Sequence, residues 1–74
     1  MKVQLFGILA EHAGTHIVEL DAHSTRGIVK ALRQHIAQLD DLSFAIAVDR
    51  TIVHKDIALN GSEEIAILPP FSGG

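Results

Sequence analysis

Apolar and polar residues alternate over Lys2–Leu5, and the chain then turns continuously apolar through Phe6, Ile8 and Leu9. This pattern predicts a strand over Lys2–Leu9 with one buried face and a second, partly covered one. Phe6 and Ile8 are thus expected in the core, with an exposed docking face as the second reading. Ala10–Gly14 is expected to form a short helical turn or a wide loop that Gly14 ends. Thr15–Leu20 predicts a second strand, Val18 and Leu20 on one face and Ile17 and Glu19 on the other. The two strands are close enough in sequence to pair as a hairpin.

The period then changes. Ser24 or Thr25 is placed to cap a helix running to about Leu39, with Ile28, Leu32, Ile36 and Leu39 forming one stripe and Val29 beside it. Lys30, Arg33, Gln34 and Gln38 fall largely on the other side. Gly27 in the first turn weakens that helix by about 1 kcal/mol relative to alanine. Phe44–Val48 predicts a short apolar strand, Asp49-Arg50 a two-residue turn and Thr51–Val53 its partner. Asn60-Gly61 signals another turn before a last strand over Glu64–Leu68. The resulting order is β-β-α-β-β-β, and the economical packing is one amphipathic helix on a small mixed sheet, an α+β fold.

After that strand the chain reads Pro69-Pro70-Phe71-Ser72-Gly73-Gly74. The prolines fix φ and remove two backbone donors, so the sheet stops and the tail leaves it. Two glycines carry no side-chain bulk, so such a tail can thread a narrow channel and present its final carbonyl to an attacking group. Extended, the six residues span at most ~20 Å. A frayed end is the plain alternative. Phe71 speaks against it, because a large apolar side chain between prolines and glycines implies a partner surface. Residues 70–74 are expected to form a flexible tail on a single domain spanning residues 1–74.

Seventy-four residues lie near the size at which one core barely suffices. The chain has no cysteine, so neither disulfides nor a cysteine zinc site can supplement that core. No apolar run approaches the ~20 residues of a membrane span. Without a signal peptide or disulfides, a cytoplasmic location is expected, with no membrane partner. A net charge of −3 without a basic cluster argues against nucleic acid and favours basic protein surfaces.

Little in the body suggests chemistry. His12 and His16 are separated by Gly14, which disfavours a helical metal-binding pair, and His23, His35 and His54 are scattered. Zinc needs three or four convergent ligands, so solvated histidines and no metal site are expected. Asp40-Asp41 and Glu63-Glu64 are expected to be solvated charges, with Glu63 and Glu64 able to touch a basic partner. No glycine loop with a following Lys and Ser/Thr is present to hold ATP, and no thiol is present to act as a nucleophile.

The element order resembles the β-grasp, or ubiquitin-like, fold. From Ala45 onward the likeness becomes specific: Ala45-Ile46-Ala47-Val48-Asp49-Arg50-Thr51-Ile52-Val53, then Asn60-Gly61-Ser62-Glu63-Glu64 and the Pro-Pro-Phe-Ser-Gly-Gly end. This stretch is similar to the small, sulfur-carrying subunits of molybdopterin synthase, with Asp49 where that family usually has Asn. The resemblance implies a mixed sheet of about five strands covered by one main helix, its first and last strands parallel at the centre. It implies a thiocarboxylate on Gly74, formed after an ATP-using, ubiquitin-activating-like adenylyltransferase and a sulfurtransferase have acted. That group then donates sulfur to a cyclic pyranopterin monophosphate bound by a larger subunit, forming the molybdopterin dithiolene. Gly73 gives the tail access, while Pro69, Pro70, Phe71 and Ser72, with Phe6, Glu63 and Glu64, are the expected partner contacts. On this reading the chain binds no cofactor and is not catalytic alone. Three alternatives remain: a thiamine-pathway sulfur carrier, which usually lacks the Pro-Pro pair; a ubiquitin-like modifier; and an interaction module with an idle diglycine.

Overall fold

The computed structural model describes residues 1–70. Five strands form one mixed sheet: β1 (Lys2–Leu5), β2 (Ile17–Glu19), β3 (Ala45–Val48), β4 (Thr51–Val53) and β5 (Ile65–Leu68). Their spatial order is β2-β1-β5-β3-β4. β1 and β5, first and last in the chain, pair in parallel at the centre, and the remaining neighbours are antiparallel. Two helices, α1 (Ile8–Ala13) and α2 (Thr25–Leu32), and a 3-10 turn at Leu39–Asp41 complete the fold.

The core lies where alternation meets helical spacing. Val3 and Leu5 of β1, Val18 of β2 and Ile65 and Ile67 of β5 are buried together with Ile28 and Leu32 of α2. Ser24 caps α2, its hydroxyl accepting the Gly27 N–H at 3.1 Å. The helix ends at Leu32, seven residues short of the expected Leu39. No proline or glycine marks this break. The Gln34 and His35 N–H groups donate to Ala31 and Leu32 carbonyls, three residues back, so the chain tightens and turns. The stripe survives because the bend returns it to the sheet, with Ile36 and Leu39 as fully enclosed as Ile28.

The first strand is also shorter than its apolar run implied. β1 stops at Leu5, and Gly7 takes φ 58° and ψ −133°, a backbone that glycine reaches and other residues avoid. The Leu9 N–H donates to the Phe6 carbonyl at 3.2 Å, closing a turn that leads directly into α1. Leu9 and Ala10 point into the core, whereas Phe6 and Ile8 remain 43% and 45% exposed. Their expected burial is therefore corrected: Phe6 and Ile8 belong to a turn and a helix start, where period-two alternation does not apply. β1 and β2 are antiparallel as expected, but α1 bridges them, and Gly14 ends that helix in the left-handed conformation.

Both sharp turns lie where the sequence put them. Asp49 and Arg50 take φ 50° and 68°, the two positive values of a tight hairpin turn between β3 and β4. At Asn60-Gly61 the Asn60 side chain accepts from the Ser62 N–H and hydroxyl.

Candidate functional site: an apolar sheet face beside the tail exit

Helix α2 covers one face of the sheet and leaves the other open. Register aligns one residue from each strand on that open face: Ile17, Gln4, Ala66, Ala47 and Ile52. Apart from Gln4 the row is apolar. Small alanines occupy its middle, and the isoleucines at the two edges are 52% and 38% exposed. Phe6 and Leu68 follow one step beyond Leu5 and Ile67, and Leu68 pairs with Ala45. On this face the exposed apolar side chains are Ile17 and Ile52 at opposite edges and Phe6 beside the chain's exit, with the exposed Gln4, the half-buried Ala66 and the buried Ala47 between the two isoleucines. A shallow hollow of 170 Å³ lies in this face, lined by Gln4, Leu5, Phe6, His16 and Ile17.

The chain leaves the sheet at the Phe6 end of this face. β5 is the central strand, held on both sides by β1 and by β3, and Leu68 sits at its end. The Phe6 N–H donates to the Ile67 carbonyl at 3.1 Å, extending the parallel pairing to the exit. Pro69 is half-buried and Pro70 exposed. Phe71, Ser72, Gly73 and Gly74, and the flexibility expected of them, lie outside the described residues.

The acidic pair divides in two. The Glu63 carboxylate accepts from the Asn60 N–H, at 2.9 and 3.1 Å, and from the Gly61 N–H at 3.0 Å. These donors, Asn60 first, hold its carboxyl below the usual range, so Glu63 serves its own loop. Glu64 is exposed, its carboxylate 3.7 Å from Arg50 Nε. The Asp56 carboxyl is likewise held low, chiefly by the Arg26 N–H and with help from the Thr25 hydroxyl, where it ties a loop to the start of α2. Asp40 pairs at the surface with Arg33 at 3.0 Å. All five histidines are exposed, and among the described residues no three metal-ligating side chains converge. A larger hollow of 510 Å³, between α2 and β3–β4, is lined by Val29, Phe44, Ile46, Val53 and His54 among others. Among the described residues this site offers an apolar sheet face at the point where the chain leaves the sheet, and no cluster of metal-ligating side chains.

The ThiS family model matches residues 3–74. The chain belongs to that family, the ubiquitin-like β-grasp sulfur carriers. It is 35% identical to the molybdopterin synthase sulfur carrier subunit of Escherichia coli over 82 residues, covering 100% of this chain and 99% of the relative. The solution structure of small archaeal modifier protein 1 from Methanosarcina acetivorans superposes with a TM-score of 0.82 at 27% identity, covering 99% of this chain and 94% of that one. Subunits 1 and 2 of molybdopterin-converting factor from Helicobacter pylori have been solved as a complex. The match there has a TM-score of 0.72 at 21% identity, covers 99% and 96% of the two chains, and speaks to the fold. Among the described residues no helix is long and apolar enough to cross a membrane.

The sequence reading offers Phe6 on an exposed face as its second choice, and Phe6 is exposed. That reading misses Ile17, Ala47, Ile52 and Ala66 as parts of one surface. The signal available was phase: Ile17 falls opposite Val18 and Leu20, so an apolar residue stood on the wrong face for the core.

Proposed function

We propose that this carrier is the small subunit of a molybdopterin synthase. The observation carrying the assignment is that full-length similarity to such a subunit coincides with Pro69-Pro70 leaving the central strand beside an exposed apolar face. The larger subunit docks on Phe6, Ile17 and Ile52, with Pro69, Pro70, Phe71 and Ser72 continuing the contact and Glu64 at its edge. Gly73 and Gly74 enter that subunit's pocket.

A carboxylate is a poor electrophile, so the Gly74 carboxylate first attacks the α-phosphorus of ATP on an adenylyltransferase, releasing pyrophosphate. The terminal sulfur of a sulfurtransferase persulfide then displaces AMP, and a thiol cleaves the resulting acyl disulfide, releasing the thiocarboxylate and leaving a disulfide. The thiocarboxylate is the nucleophile towards the cyclic pyranopterin, and the acid and base groups come from the larger subunit. A dithiolene holds two sulfur atoms and each tail carries one, so two loaded chains are consumed per product.

A second reading has a specific observation behind it, the likeness to an archaeal modifier protein. In that case Gly74 ends as an isopeptide on a target lysine. Intact mass separates the two after incubation with ATP, an activating enzyme and a sulfur donor. A carrier gains the mass of one oxygen-for-sulfur exchange and then supports pterin conversion by the larger subunit. A branched conjugate without thiocarboxylate would assign the chain to the modifiers.

A further inference from the structure

We propose that Gly7 is the positioning residue for the tail: Pro69 packs into the space a side chain at Gly7 would occupy, and this joint sets the direction in which the last residues leave the sheet. The inference rests on the tail being the working part of the molecule, as proposed above. A Cβ built on Gly7 would meet Pro69 Cγ at 3.1 Å, Cδ at 3.6 Å and Cβ at 3.9 Å. The first of these is tighter than ordinary van der Waals contact, so any L side chain at this position pushes the proline ring.

The joint is rigid on both sides. Gly7 is the first central residue of the turn closed by Leu9 N–H and Phe6 O, and its carbonyl accepts the Glu11 N–H of α1 at 3.2 Å. Pro69 directly follows Leu68, whose strand is hydrogen-bonded on both edges. Its ring fixes φ, so a displaced ring turns everything after it. The glycine therefore does two things: it permits the φ 58° turn, and it makes room for the ring.

Gly14 allows these two roles to be separated. It too has a positive φ, 76°, but an added Cβ there meets nothing within 4 Å. Gly14→Ala thus carries backbone strain without touching the tail, whereas Gly7→Ala carries both. Pro69→Ala removes Cγ and Cδ, the two closest atoms, and should relieve the contact.

The test uses the full chain, which lacks cysteine and so accepts specific labels. Spin labels at Glu19→Cys and Ser72→Cys report where the tail points. Gly7→Ala should shift the distance distribution, Gly14→Ala should leave it unchanged, and Gly7→Ala should have no further effect in a Pro69→Ala background. Pyrophosphate release on an adenylating enzyme gives the second readout. There kcat should fall about 10–100-fold for Gly7→Ala, far more than KM changes, because what is lost is the aim of the carboxylate. Gly14→Ala, strained at its own positive φ but clear of Pro69, should keep both parameters. Equal behaviour of the two alanine variants, or an undiminished shift in the Pro69→Ala background, overturns the joint. If the parent chain releases no pyrophosphate, the functional reading fails while the label distances still judge the joint.

Discussion

Asp49 and Glu64 hold each other reciprocally: the Asp49 N–H donates to the Glu64 carbonyl at 2.8 Å, and the Glu64 N–H donates to Asp49 Oδ1 at 2.9 Å. The tip of the β3–β4 hairpin is thereby fastened to the start of β5, the strand that delivers the tail. Asp49 also sits at φ 50°, where Asn and Asp are tolerated better than most residues. Asp49→Asn keeps the acceptor and the backbone preference, and should change stability by less than about 0.5 kcal/mol. Asp49→Ala loses both and should cost about 1–2 kcal/mol in urea unfolding. Equal stability of the two variants would show that the side-chain bond contributes nothing.

The open sheet face should matter for binding and not for folding. Ile17→Asp and Ile52→Asp place charge on exposed edge positions, so thermal unfolding should move little. Each should weaken affinity for the larger subunit at least about tenfold, as for an apolar anchor at an interface. Phe71→Ala is expected to act in the same direction. Calorimetric titration checks all three, and unchanged affinity for the two aspartate variants would move the interface elsewhere.

Gly74 carries the reacting carbonyl in the proposed function. Deleting it, or adding a residue after it, should abolish pterin conversion by the reconstituted two-subunit enzyme. Gly73→Ala should impair conversion less completely, through its methyl group and restricted φ. Thermal unfolding should be unaffected in all three, since these positions lie well past Leu68, the last strand residue. Full conversion by a chain lacking Gly74 would defeat the carrier assignment.

Acid should loosen the Asn60–Glu63 loop. The Glu63 carboxyl is held below its ordinary value in the folded chain by the Asn60 N–H first, so folding favours its charged form. That stability is fully present above the ordinary glutamate range of about 4.3 and is lost as pH falls towards the depressed folded value. Glu63→Gln should therefore flatten the fall in melting temperature below about pH 4.5 without altering its direction, because Asp56 is depressed in the same sense. A slope identical to that of the parent chain would remove Glu63 as a contributor.

The sequence alone determined what depends on near neighbours. The spacing of Ile28, Leu32, Ile36 and Leu39 marks a buried stripe whether or not the helix stays straight, since all four are buried. Asp49-Arg50 and Asn60-Gly61 announce their turns because few residues adopt those backbones. The tail's departure follows from two adjacent prolines. Tertiary structure decided everything that depends on distant strands. Phe6 and Ile8 read as strand and core until the Gly7 turn rotates them outward, and periodicity cannot register one residue of positive φ. Arg33–His35 carries no helix breaker; the bend there is settled by where Ile36 and Leu39 find the core. Ile17, Ala66, Ala47 and Ile52 become one face only when register aligns β2 and β5 with the β3–β4 hairpin, segments far apart in the chain. The contact of Pro69 with Gly7, residues at opposite ends of the sequence, exists because β1 and β5 run parallel side by side, and that pairing is a property of the folded sheet.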